Sequence, residues 1–198
     1  MGRIKTDDNT SRRDVIIRKA ATLFREKGFK AASMRELAEI VGVEAASLYN
    51  HIHSKSELLH IICFDVANRF THEMDALEME DIPVILKVER ILRFHIHAML
   101  NHFEEVYVSD REWKYLSDPY LSNFQHQRRI YRKRFAGIIA DGIRKKEIKK
   151  IDAATAVLIM LHAISGIESW HRSKQKISGQ ELEENMISIL VGGLAPEK

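Results

Sequence analysis

The sequence predicts an all-α fold on three observations. Only three prolines occur in 198 residues, and no alternating run rich in Val, Ile or Thr and bounded by turns marks a strand. Apolar residues recur instead at spacings of three and four through most of the chain. Four helix starts are also written out: Ser11 with Asp14, Ser33 with Glu36, Ser54 with Glu57, and Ser178 with Glu181. In each pair a hydroxyl and a carboxylate three residues later can satisfy backbone donors that a helix start leaves without partners.

Composition narrows the class. Hydrophobic residues make up 45% and charged residues 30%, as in a globular chain with a sizeable core. The single Cys63 excludes an internal disulfide framework or a Cys-rich zinc site, and its stripe-mates Leu59, Val66 and Phe70 predict a buried thiol. The polar start predicts no signal peptide and a cytoplasmic location. The longest apolar run, Ala153 to Ile167, is short and carries His162, so it predicts a core or interface helix and no membrane span. No nucleophile–base spacing, Gly-rich phosphate loop, metal signature or cofactor motif is present, which argues against an enzyme.

Residues 1–10 are polar and are expected to be a disordered tail. A first helix runs from Ser11 to Lys27 and is closed by Gly28; Ile16 or Ile17, Ala20, Leu23 and Phe24 form its core stripe. Phe29 and Met34 flank the link to the next helix. That helix opens at Ser33, presents Leu37, Ala38 and Val41 to the core, and stops at Gly42, where a left-handed residue is needed. Val43 lies under the turn, and Glu44 to Tyr49 restart a helix. Two helices joined by a glycine turn make a helix-turn-helix, whose second helix can enter a DNA major groove. Ala45, Ala46 and Ser47 are small enough to let the backbone approach base edges. Tyr49, His51 and Lys55 offer donors suited to phosphates. Residues 1–60 hold 11 Lys and Arg against 8 Asp and Glu, while the remainder is balanced, so the excess positive charge lies on this segment.

These residues carry a resemblance. Ser33, Arg35, Leu37, Ala38, Gly42, Val43, Leu48, Tyr49, His51, Ile52, Lys55 and Leu58 are similar in type and spacing to the helix-turn-helix of the TetR family of bacterial repressors. Glu44 stands where that family has a small hydroxyl residue, and is expected either to cap the recognition helix or to accept from a cytosine amino group. Ile52 replaces a Phe. The resemblance implies phosphate contacts at Arg12 and Arg13. The DNA-binding set is therefore Arg12, Arg13, Ser33, Arg35, Glu44, Ala45, Ala46, Ser47, Tyr49, His51 and Lys55, within a domain at 11–56.

The remainder, 57–198, is expected to bind a ligand and to dimerise. A helix from Lys55 to about Leu77 should link the two domains mechanically. Acidic residues 78–81 and Pro83 mark its end. The helix from Pro83 to Phe103 is apolar on more than one side and so should be central. His95 and His102 share its second stripe. No carboxylate or His lies at i, i+4 on that stripe, so pocket lining or core packing is favoured over a metal site. Residues 104–118 read as a short irregular or helical connector. Asp118 and Pro119 open a helix to about Lys146 whose inner stripe includes Phe124, Arg128, Tyr131 and Phe135. Arg128 is a permanent cation on an apolar face, and needs a carboxylate partner or an anionic ligand. The expected ligand set is Phe70, Met74, His95, Met99, His102, Phe124, Arg128, Tyr131 and Phe135.

Asp152 caps a nearly all-apolar helix to about Trp170, and Ser178 opens the last one. A pair of this kind at the end of a chain suggests docking against a symmetry mate, through Leu158, Leu161, His162, Ser165, Leu182, Met186, Ile189 and Leu190. In the TetR resemblance these helices form a four-helix bundle between protomers. Residues 131–194 further resemble TetR regulators that answer to acyl-CoA thioesters, although Glu147-Ile148 stands where those have Gly-x-Phe. The resulting expectation is a ligand-responsive repressor: a homodimer on a double-stranded operator, released by a small apolar or acyl-CoA effector. A ligand-independent DNA-binding protein is the competing reading, and the large apolar second domain argues against it.

Overall fold

The computed structural model describes residues 11–173 and 177–194. The expected tail at 1–10 lies outside the described residues. Ten α-helices and one short 3-10 turn follow one another, with no strand among the described residues. They are α1 (Arg12–Lys27), α2 (Met34–Val41), α3 (Ala45–Tyr49), α4 (Lys55–Met79) and α5 (Val84–Asn101). Then come α6 (Phe103–Arg111), the 3-10 turn (Trp113–Tyr115), α7 (Tyr120–Arg144), α8 (Ala153–Ser165), α9 (Ile167–Arg172) and α10 (Gly179–Gly192).

The chain packs as two units. The first takes residues up to Ala67 together with Glu104–Gln125; the second takes Asn68–Phe103 and the chain from His126 onward. The first unit thus reaches beyond the 11–56 segment. Its core joins Ile16, Phe24, Leu37, Leu48, Ile52, Leu58 and Ile62 to Val108, Leu116 and Phe124. The reason is size: α1, α2 and α3 have 16, 8 and 5 residues, too few to enclose a core alone. The stretch expected as a connector is therefore mostly helical and supplies part of that core. Cys63 is buried there, as its stripe implied.

In the second unit α5 packs against α8, α9 and α10, which makes it the central helix that its apolar sides predicted. Its start is fixed from a distance. Glu147 Oε2 accepts from the amides of Val84 at 2.5 Å and Ile85 at 3.3 Å, supplying the cap that Pro83 cannot. Beside it Gly142 admits Ile148: a Cβ on Gly142 would lie 2.6 Å from the Ile148 side chain and 2.9 Å from that of Val84. The apolar stretch Ala153–Arg172 has the length and composition of a membrane span. It is divided at Gly166 into α8 and α9, and His171 Nε2 of α9 lies 2.8 Å from the Met99 carbonyl oxygen.

Candidate DNA-reading and effector sites

The helix-turn-helix is set by local rules. The Ser33 hydroxyl accepts from the Glu36 amide, and the Glu36 carboxylate accepts from the Ser33 amide. Gly42 adopts φ 77°, ψ 36°, and its amide and that of Val43 close on the Ala38 carbonyl. Leu48 and Ile52 are fully buried, so the Ile in place of Phe is a packing change. Ala45, Ala46 and Tyr49 are exposed, and Ser47 and His51 are half-buried. This is an outward face with small residues at its start.

Other expected DNA contacts are placed as follows. Arg12 is exposed at the start of α1. Arg13 is exposed, with its guanidinium 3.7 Å from Glu57. Arg35 is exposed and pairs along α2 with Glu39 at 3.4 Å. Glu44 stands at the N-cap position of α3 but makes no capping bond. Its carboxylate sits one methylene farther out than that of Asp, so the capping expectation is corrected. The carboxylate is left exposed.

Lys55 is engaged within the protein. Its ammonium donates to the carbonyl oxygens of Phe29 at 2.7 Å, Lys30 at 3.2 Å and Ala32 at 2.8 Å, and lies 4.6 Å from the Phe29 ring centroid. An ammonium has three donors, and all three are engaged here with the link between α1 and α2. Lys55→Met keeps the stem and removes the charge. It should cost about 1.5–3 kcal/mol in urea unfolding, the range for hydrogen bonds to charged groups. Unchanged stability with a shallower salt dependence of DNA binding would return Lys55 to the phosphates.

In the second unit an aromatic and polar cluster forms between α4, α5 and α7. His95 Nε2 lies 2.7 Å from the Tyr131 hydroxyl, and the Phe70 ring stacks on the imidazole at 4.2 Å. Met74, Met99 and Phe135 are buried, and Arg128 is half-buried. Burial, and then the nearby Arg128 charge, lower the His95 pKa from its ordinary 6.5 to about 4. Burial raises that of Tyr131. At neutral pH the cluster therefore holds a neutral imidazole, a neutral phenol and a guanidinium. Gln127 bonds Asn68 and Thr71 nearby, while Arg134 pairs with Asp75 and Glu78.

Of the expected ligand residues, Phe70, His95 and Tyr131 form this cluster with Arg128 near the imidazole, while Met74, Met99 and Phe135 are buried elsewhere along the same helices, and two others lie apart from it. His102 is exposed at the C-cap of α5, where φ −131°, ψ 40° takes the backbone off the helix and ends the seven-residue register with His95. Phe124 is buried in the first unit, against Phe64 and Trp113.

Helices α8 and α10 carry the expected interface set. Leu158 is 54% exposed and Ile189 72% exposed, with Ile159, absent from the expected set, at 58%. His162 is exposed, and Leu161, Ser165, Leu182, Met186 and Leu190 are half-buried. Sequence reasoning also missed the tie that holds α10 to α5. The buried Glu183 carboxylate accepts from Arg93 at 2.8 Å and lies 2.7 Å from His97 Nε2. A glutamate inside an apolar stripe was the available signal, since a buried carboxylate requires partners.

Residues 16–62 match the family of bacterial regulatory proteins described as tetR, and residues 81–194 match the tetracyclin repressor-like C-terminal domain. A relative, the HTH-type transcriptional repressor KstR2 of Mycolicibacterium smegmatis, is 23% identical over 187 residues, covering 93% of this chain and 91% of its own. The ketosteroid transcriptional regulator KstR2 of Mycobacterium tuberculosis has a similar structure: TM-score 0.87, 21% identity, 98% of this chain and 100% of that one. AibR in complex with isovaleryl coenzyme A and operator DNA is also similar, with TM-score 0.79, 18% identity, 91% of this chain and 98% of that one.

Proposed function

We propose a repressor released by an acyl-CoA-type effector, on one premise: the chain belongs to the TetR family of bacterial regulatory proteins. It is thus a DNA-binding transcription regulator, and its family is not one of enzymes. The observation that carries the reading is the outward face of α3, with exposed Ala45, Ala46 and Tyr49 over buried Leu48 and Ile52. A short helix presented after a left-handed glycine turn is suited to a major groove. Arg12, Arg13 and Arg35 are exposed and suited to the flanking phosphates. A regulator that works on bacterial DNA is suited to the cytoplasm.

The DNA-bound form is a homodimer, with two recognition helices about 34 Å apart in successive major grooves. The exposed apolar faces of α8 and α10 support this assembly. The effector occupies the second unit, beside Phe70, Met74, His95, Met99, Arg128, Tyr131 and Phe135, and favours a dimer geometry unfit for the operator. Apolar walls with a guanidinium suit a ligand that has an acyl end and an anionic end. The similarity to a protein solved with isovaleryl coenzyme A supports the class.

A duplex selected from a random-sequence pool, titrated with short, branched and ring-bearing acyl-CoAs, tests this function. At least one should release the DNA. Arg128→Ala should bind the duplex normally yet need roughly tenfold or more of that acyl-CoA for release, the loss expected for one charge-assisted bond. A lowered melting temperature with an unchanged release curve would make Arg128 a structural ion pair instead.

A further inference from the structure

The segment 104–125 leaves the second unit after α5, packs within the first, and returns through α7. Beyond completing a core, it reaches the link between α1 and α2. Glu112 Oε2 accepts from the Phe29 amide at 2.9 Å. The Tyr115 ring stacks on that of Phe29 with centroids 5.7 Å apart and planes 18° apart, and Lys30 Nζ lies 5.2 Å from the Tyr115 ring centroid. Gly28, at φ 78°, turns the chain out of α1 immediately before Phe29. Lys55 holds the carbonyl side of the same link. The amide and carbonyl of Phe29 are thus held by groups that lie outside α1, α2 and α3, and its ring is packed by Tyr115 on the outside and by Phe24 of α1, at 5.4 Å between centroids.

We propose that Glu112 and Tyr115 are positioning residues for DNA binding: with Lys55 they fix the 28–32 link, and so the direction in which α2 and α3 follow α1. The link is short, and α2 begins at Met34, directly after it. A small rotation there moves the base-reading face of α3, and hydrogen bonds to DNA weaken steeply with misalignment. The segment that does the holding is continuous with helices of the effector cluster. One residue, His102, separates α5 from α6, and α7 runs unbroken from Tyr120 past Arg128 and Tyr131. The proposal rests on the DNA-binding function proposed above.

The test uses the full chain and a duplex selected from a random pool by the wild type, at a temperature where every variant is folded by circular dichroism. Glu112→Ala should weaken binding roughly tenfold, and Tyr115→Leu similarly, while Glu112→Gln, which keeps an acceptor for the Phe29 amide, should stay within about twofold. Exchange of the Phe29 amide should accelerate in Glu112→Ala and not in Glu112→Gln. Lower melting temperatures with duplex affinity unchanged in both Glu112→Ala and Tyr115→Leu would overturn the proposal, because the two residues would then only support the core. Failure of the wild type to select any duplex would overturn the DNA-binding reading itself, and this proposal with it.

Discussion

Leu158→Glu combined with Ile189→Glu should convert the protein to a folded monomer and lower its operator affinity by roughly 100- to 10,000-fold. That range is what is lost when a second linked binding event disappears. The residues are 54% and 72% exposed in the single chain, and neither belongs to its buried core. Surface changes of this kind alter folding stability by about 0.5 kcal/mol or less. In a two-fold interface, however, each glutamate is buried twice, once per protomer, close to a like charge or an apolar surface, and unpaired buried charges are costly. Sedimentation equilibrium reads the mass, circular dichroism the fold, and duplex titration the affinity. A well-behaved dimer carrying both changes would exclude the α8–α10 face as the interface. Monomers with undiminished affinity would show that one recognition helix suffices.

The parts of this molecule that were legible in the sequence are those fixed within a few residues. The capping boxes at Ser11 and Ser33 form as read, and so does the left-handed stop at Gly42. Ser54 caps the Glu57 amide, but the Glu57 carboxylate accepts from the His53 amide instead of completing a box. What escaped depends on distant partners. Lys55 sits at a position suited to phosphate, yet the carbonyls that hold it lie 23 to 26 residues earlier. Phe124 and Arg128 share one helical stripe, and periodicity cannot say that α7 passes from one packing unit to the other between them. His95 and His102 share a face only if the helix persists, and α5 ends at Asn101. In the same way, the apolar run from residue 153 reads as one helix, although Gly166 breaks it in two.

His95 gives the other large effect, through pH. Its folded pKa of about 4 lies below the ordinary value of 6.5, because burial and then Arg128 disfavour the imidazolium. Well above pH 6.5 the ring is neutral in both folded and unfolded chains, and contributes no pH dependence. As pH falls from 6.5 toward 4 the unfolded chain takes up a proton that the folded chain refuses, so stability is lost on acidification. At about 1.4 kcal/mol per unit the full loss is about 3 kcal/mol, an upper bound because part of the residue still reaches solvent. Of the carboxylates that the fold stabilises as anions, Asp118, Asp141 and Asp152 have ordinary values of 3.8, so their effects fall mostly below this window; Glu36, held as an anion by Lys27 and then Ser33, has an ordinary value of 4.5 and contributes at the acid end of it, equally in wild type and variant. His95→Gln keeps a hydrogen-bonding partner for Tyr131 and cannot titrate. Urea unfolding at pH 7 and pH 4.5 should therefore show the variant losing about 2–3 kcal/mol less than the wild type on acidification. Equal losses would place the His95 proton equilibrium near that of a solvated imidazole. The ring beside Arg128 would then become a second cation at mildly acid pH, and the proposed effector cluster could not be the neutral-imidazole site described above.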